Sequence, residues 1–116
     1  MDAMLKIDLS GSLVVVDVDN IDRTPRGQKT CGVLAILATA PRMRRPRRWV
    51  QSKLWSDRGT ENANASLRQS LVELRRTFGP YADAIQSDRK DIWLDEAAVR
   101  IVMPGDPDAT ASGDEE

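Results

Sequence analysis

NANASLRQSLVELRRTFGP, residues 62–80, is the stretch from which the fold of this chain can be read. Leu67, Leu71, Leu74 and Phe78 recur at i, i+4, i+7 and i+11, the spacing of an apolar stripe along one side of an α-helix. Gly79-Pro80 supplies two common stop signals, so the pattern predicts a helix over 62–78. At about 100° per residue, Asn62, Ala65, Gln69, Val72, Glu73 and Arg76 project opposite the stripe, with Arg68 and Arg75 along one flank. That outer face is short-chained, amide-bearing and basic. It lacks the Glu/Lys ladder of a merely solvated helix.

Working outward, Pro46 to Trp55 predicts a shorter helix that packs Val50 and Leu54, because proline is tolerated in a first helical turn. Just before and within it, residues 42–48 hold five arginines in seven positions. Earlier still, Val33, Leu34, Leu37 and Ala38 predict a largely buried helix over 27–39, with Cys31 as a packing thiol and Ala40-Pro41 as its stop. Before that, Leu5 to Val18 is rich in alternating and β-branched residues around Gly11-Ser12. It reads as a hairpin, with a short third strand expected near Ile21 to Thr24. On the other side, Ala84 to Ser87 and Ile92 to Leu94 read as two strands, whose connection carries Arg89 and Lys90 at its tip. Val99 to Met103 offers one more strand. Trp55 and Trp93 are expected in the core, and Trp49 either in the core or at an interface.

Composition closes off several functions. The 116 residues include no histidine and one cysteine, which excludes imidazole triads, internal disulfides and thiolate zinc cages. The spacing of Asp57, Asp88, Asp91 and Asp95 does not fit a calcium loop, and no Gly-rich phosphate loop follows a strand. Catalysis, a metal and a cofactor are therefore not expected. No apolar run approaches the roughly 18–20 residues of a membrane span, and the N-terminus lacks a signal-peptide layout; a reduced, cytoplasmic protein is the expectation.

The net charge of −1 conceals a division along the chain. Residues 1–22 carry one lysine against five aspartates, a net −4. Residues 23–90 carry fifteen basic against five acidic side chains, a net +10, and residues 91–116 one arginine against eight acids, a net −7. A phosphate backbone responds to such a local field rather than to the total. Residues 104–116 have lost apolar periodicity and are expected to be a disordered acidic tail or linker stub beyond a domain spanning 1–103.

Sheet, three helices and a hairpin, in that order, predict an α+β winged helix-turn-helix with an N-terminal antiparallel β-platform, three helices and a C-terminal β-hairpin wing. Leu54-Trp55-Ser56-Asp57, followed by Asn64-Ala65-Ser66-Leu67-Arg68-Gln69-Ser70-Leu71-Val72-Glu73-Leu74-Arg75-Arg76, resembles the L-W-x-D and L-R-x-x-L-x-x-L-R-R signature of SARP-type transcriptional regulators. These belong to the wider OmpR/PhoB-type winged-helix group. The resemblance extends over residues 5–103, with 27–41 similar to the family's first helix and 87–95 to its wing.

The resemblance implies sequence-specific binding of double-stranded DNA by a transcription regulator, in the family an activator. Residues 62–78 would enter the major groove and the wing, 85–94, would meet the flanking backbone or minor groove. Asn62, Asn64, Ala65, Arg68, Gln69, Val72, Arg75 and Arg76 are the candidate base and phosphate contacts on that helix. Arg44, Arg45, Arg47 and Arg48 are expected on phosphates, and Arg89 and Lys90 at the wing tip. The resemblance also implies contact with RNA polymerase through the loop 56–61, and direct-repeat sites with tandem or dimeric binding. Its relatives have several domains, so this chain is either one module of a longer regulator or a stand-alone one. The rival reading is a winged-helix adaptor whose basic face docks an acidic protein partner.

Overall fold

Alternation in the first hairpin decides which face of the first sheet is buried. In the computed structural model, which describes residues 3–105, β1 (Leu5–Asp8) pairs antiparallel with β2 (Val14–Asp17), Leu5 opposite Asp17 and Ile7 opposite Val15. Leu5, Ile7 and Val15 turn inward and are fully buried. Three helices follow: α1 (Gln28–Ala38), α2 (Arg47–Leu54) and α3 (Thr60–Phe78). A short strand β3 (Arg44–Pro46) lies between the first two. The described residues close with β4 (Ile85–Ser87), β5 (Asp91–Leu94) and β6 (Val99–Val102). The architecture is thus α+β, with three helices and two three-stranded sheets, ordered β2-β1-β6 and β3-β5-β4.

The first sheet differs from the expected antiparallel platform. Residues 21–24 make only a single bridge, Val16 to Asp22, instead of a strand. Asp17 is the cause. Its carboxylate accepts the backbone N–H groups of Asp19 and Ile21 at 2.8 and 3.0 Å and the Arg23 Nε at 2.9 Å, winding the chain into a tight loop with Asn20 at φ 64°. The vacant edge of β1 is taken by β6, which pairs parallel to it with Leu5 opposite Val99 and Ile7 opposite Ile101. The two ends of the described chain therefore meet in one sheet.

The second sheet contains a strand inside the arginine run. Arg44 lies opposite Trp93 and Pro46 opposite Asp91, while Ile85 and Ser87 of β4 face Leu94 and Ile92. Alternation along β5 buries Ile92 and Leu94, so Trp93 falls on the other face and is half-buried; it is not a core residue as expected. Trp55 is buried, and Trp49 and Leu54 are partly buried against the core.

One apolar cluster joins these layers: Leu5, Ile7 and Val15 from the first sheet, Val33, Leu34 and Leu37 from α1, Val50 from α2, and Ile85, Ile92 and Leu94 from the second. The α3 stripe, Leu67, Leu71, Leu74 and Phe78, runs through its middle. Gly79 ends α3 at φ 58°, a conformation that only glycine adopts without cost, and Pro80 prevents continuation. Among the described residues no helix is long and apolar enough to cross a membrane. The expected acidic tail falls outside the described residues from 106 onward.

Candidate nucleic-acid interface

With its stripe in the core, α3 turns a continuous face outward. Asn62, Ala65, Arg68, Gln69 and Arg76 are exposed, and Val72 is 48% exposed. The helix begins two residues earlier than expected, at Thr60, and Glu61 in its first turn complements the helix dipole. Glu73, expected on the outer face, instead reaches α1. Its Oε2 accepts the backbone N–H groups of Arg26 and Gly27 at 3.2 and 3.1 Å, and its Oε1 the Thr30 hydroxyl at 2.7 Å. The Thr30 and Gly27 bonds hold the Glu73 carboxyl below its usual range; burial opposes them, and Arg26 N–H and the Arg76 charge assist. The one carboxylate in the middle of the basic helix is thereby engaged with backbone donors.

On one flank, α3, α2 and the β4–β5 hairpin bring their cations together. The Arg47 amide donates to the Lys90 carbonyl at 2.7 Å, tying the start of α2 to the hairpin tip. Arg75 Nη2 donates to the Ser87 hydroxyl at 3.2 Å. Burial, then the neighbouring Arg68 and Arg75 charges, lower the Arg47 pKa, while Asp88 opposes them. Three guanidiniums thus crowd one small region. Gln51 donates to Asn64 at 3.3 Å, and an open cleft of about 670 Å³ is bordered by Arg47, Arg48, Asn64, Arg89 and Lys90.

The hairpin tip is shaped by Asp88. Its Oδ1 accepts the backbone N–H groups of Asp91 at 2.7 Å and Lys90 at 2.9 Å, and its own N–H donates to the Asp91 carbonyl at 3.0 Å. Those two amide bonds hold the Asp88 carboxyl below its usual range against the effect of burial, with help from Arg44 and Arg47. Arg89 and Lys90 occupy the exposed centre of the turn.

Two of the expected cations point elsewhere. Arg44 lies on the far side of the second sheet, where its Nε donates to Asp91 at 2.9 Å and its guanidinium stacks 4.2 Å from the Trp93 ring centre. Arg45 stacks 4.3 Å from the Trp49 ring centre, and its buried Nε has no hydrogen-bond partner among the described residues. β3 therefore draws the first half of the arginine run into framework contacts, while Arg47 and Arg48 border the cleft. On the opposite flank of α3, Gln69, Val72 and Arg76 line a second open cleft, of about 890 Å³, together with Arg26, Lys29 and Arg58. Sequence periodicity did not single out those last three, because they sit before and at the starts of helices rather than on a repeating face.

Compared with protein-family models, curated proteins and solved structures, the chain matches none of them. The functional reading accordingly rests on the residues themselves.

Proposed function

We propose that residues 3–105 form a winged helix-turn-helix domain that binds double-stranded DNA in a sequence-specific manner and serves transcription regulation. The observation that carries this reading is the union of Arg47, Arg68 and Arg75 with the Arg89-Lys90 hairpin tip along one flank of an exposed, amide-bearing helix. Like charges so gathered are stabilised by a polyanion, and a phosphate backbone supplies regularly spaced negative charge. In this reading α2 and α3 are the helix-turn-helix pair, and β4 and β5 are the wing, braced by β3.

α3 lies in the major groove. Arg68 there presents a guanidinium able to pair bidentately with guanine, Gln69 and Asn64 present amides suited to adenine, and Ala65 and Val72 suit a thymine methyl. Arg47, Arg48, Arg89 and Lys90 grip the flanking backbone or minor groove. The resemblance to SARP-type regulators extends the reading to a cytoplasmic activator that meets RNA polymerase through residues 56–61, the α2–α3 connection with the first residues of α3, and occupies direct repeats. The role is one of binding, with no cofactor or metal.

A salt titration of duplex binding tests it. Wild-type protein binds random duplex DNA at 50 mM salt and loses affinity steeply by 200 mM; Arg48→Ala and Arg76→Ala each flatten the dependence by about 0.9 in log–log slope. Absence of measurable duplex binding at low salt would sink the proposal.

A further inference from the structure

A second set of cations borders a cleft that no residue of the β4–β5 hairpin lines. Arg26 precedes α1, Lys29 is in its first turn and Arg58 precedes α3; with Arg76 they border the 890 Å³ cleft. Two carboxylates share that lining, Asp22 and Glu73, and both are engaged. Asp22 accepts the Thr24 N–H at 2.9 Å, and Glu73 holds the Arg26 and Gly27 amides. The cations that border the cleft are side chains carried by three different parts of the chain. Arg58 is steadied by a 3.0 Å bond to Ser66, and Lys29 by the Leu54 carbonyl.

The position of this set on α3 gives it meaning. About 100° per residue puts Ser66 and Glu73 roughly 160° around the axis from Arg68 and Arg75, so the two groups of cations stand on opposite flanks of one helix. A helix with side chains is about 10–12 Å across, and the major groove about 12 Å wide, so a helix filling the groove meets a sugar-phosphate wall on each side. We infer that Arg26 and Arg58, with Arg76 beside them, form a second phosphate clamp that holds the DNA strand across the groove from the strand held by the wing. The inference rests on the DNA-binding reading and adds that the domain straddles α3 with two backbone grips.

The test compares two double variants in the full chain, Arg26→Gln/Arg58→Gln and Arg89→Gln/Lys90→Gln. Affinity is measured from 50 to 200 mM salt on a duplex selected from a random pool, with strand-specific hydroxyl-radical footprints, and unchanged thermal midpoints establish that both variants fold. Each double variant should reduce the log–log salt slope by about 1.8, so that the fourfold rise in salt weakens binding about twelvefold less than in wild type. Each should lose protection on a different strand, and Arg26→Lys/Arg58→Lys should restore both slope and footprint. A wild-type slope and footprint in Arg26→Gln/Arg58→Gln, with the wing variant impaired, would overturn the second clamp and leave the DNA reading standing. Wild-type protein that fails to bind would remove both.

Discussion

Glu73 carries more of the structure than its place on a basic helix suggests. It caps α1, whose flanking residue Gly27 has no side chain to do so, and it links two elements 46 residues apart. Glu73→Ala should lower stability by about 1 kcal/mol, the usual cost of losing a cap, measurable by urea denaturation. Its pH dependence has a definite sign. Hydrogen bonds lower the carboxyl pKa in the folded protein, so the stabilisation is present above the unfolded value, near 4.5, and is lost as pH falls through the lower folded value. Wild type and Glu73→Gln should therefore differ in stability at pH 6 and converge as the medium is acidified below that range; a constant difference would contradict the assignment. Gly27 is constrained by the same contact, since a Cβ there would lie 2.9 Å from Glu73 Oε1.

At the scale of elements, adjacent residues of α3 divide between the core and the outer face, which in the proposed reading separates folding from recognition. Leu71 is 2% exposed in the core, and Val72, the next residue, is 48% exposed. Leu71→Ala should cost about 2–5 kcal/mol through lost burial and the cavity it leaves. Val72→Ala should leave stability within about 0.5 kcal/mol while weakening any preference for thymine at one position of a selected site. Equal losses of stability in the two variants would place Val72 in the core instead. This division was legible in the sequence because a 19-residue amphipathic helix repeats its pattern many times. The short strands were less so. β3 is Arg-Arg-Pro, a segment with no apolar alternation, and it is a strand because β5 lies beside it. The loop at 21–24 has strand-like composition, but Asp17 captures its amide and leaves it a single bridge to β2; on the other side of the sheet β6, from the far end of the chain, takes the edge of β1. Pairings between distant segments leave no periodic trace in either one. For the same reason Arg44 and Arg45 read as members of a basic run, although Trp93 and Trp49 hold them in the framework.

For the whole molecule, the parallel pairing of β1 and β6 joins the acidic N-terminal segment to the last strand, while the basic block builds the helices and the hairpin. Residues 106–116 continue that acidic charge with Asp106, Asp108, Asp114, Glu115 and Glu116. Ending the chain at Gly105 would leave 17 basic and 13 acidic side chains, changing the net charge from −1 to +4. β6 ends at Val102, so the truncation keeps every strand of both sheets. Such a change acts on a duplex from a distance, through the field that guides encounter, and it is screened beyond about 10 Å at 0.1 M salt. The truncated protein should therefore associate with duplex DNA several-fold faster than the full chain at 50 mM salt, with a difference that shrinks toward none at 500 mM. Stopped-flow association across that salt range measures it. Equal association rates at 50 mM would mean that the acidic residues do not alter the field at the α3 face, and the balance between the two charged regions would then have no kinetic role.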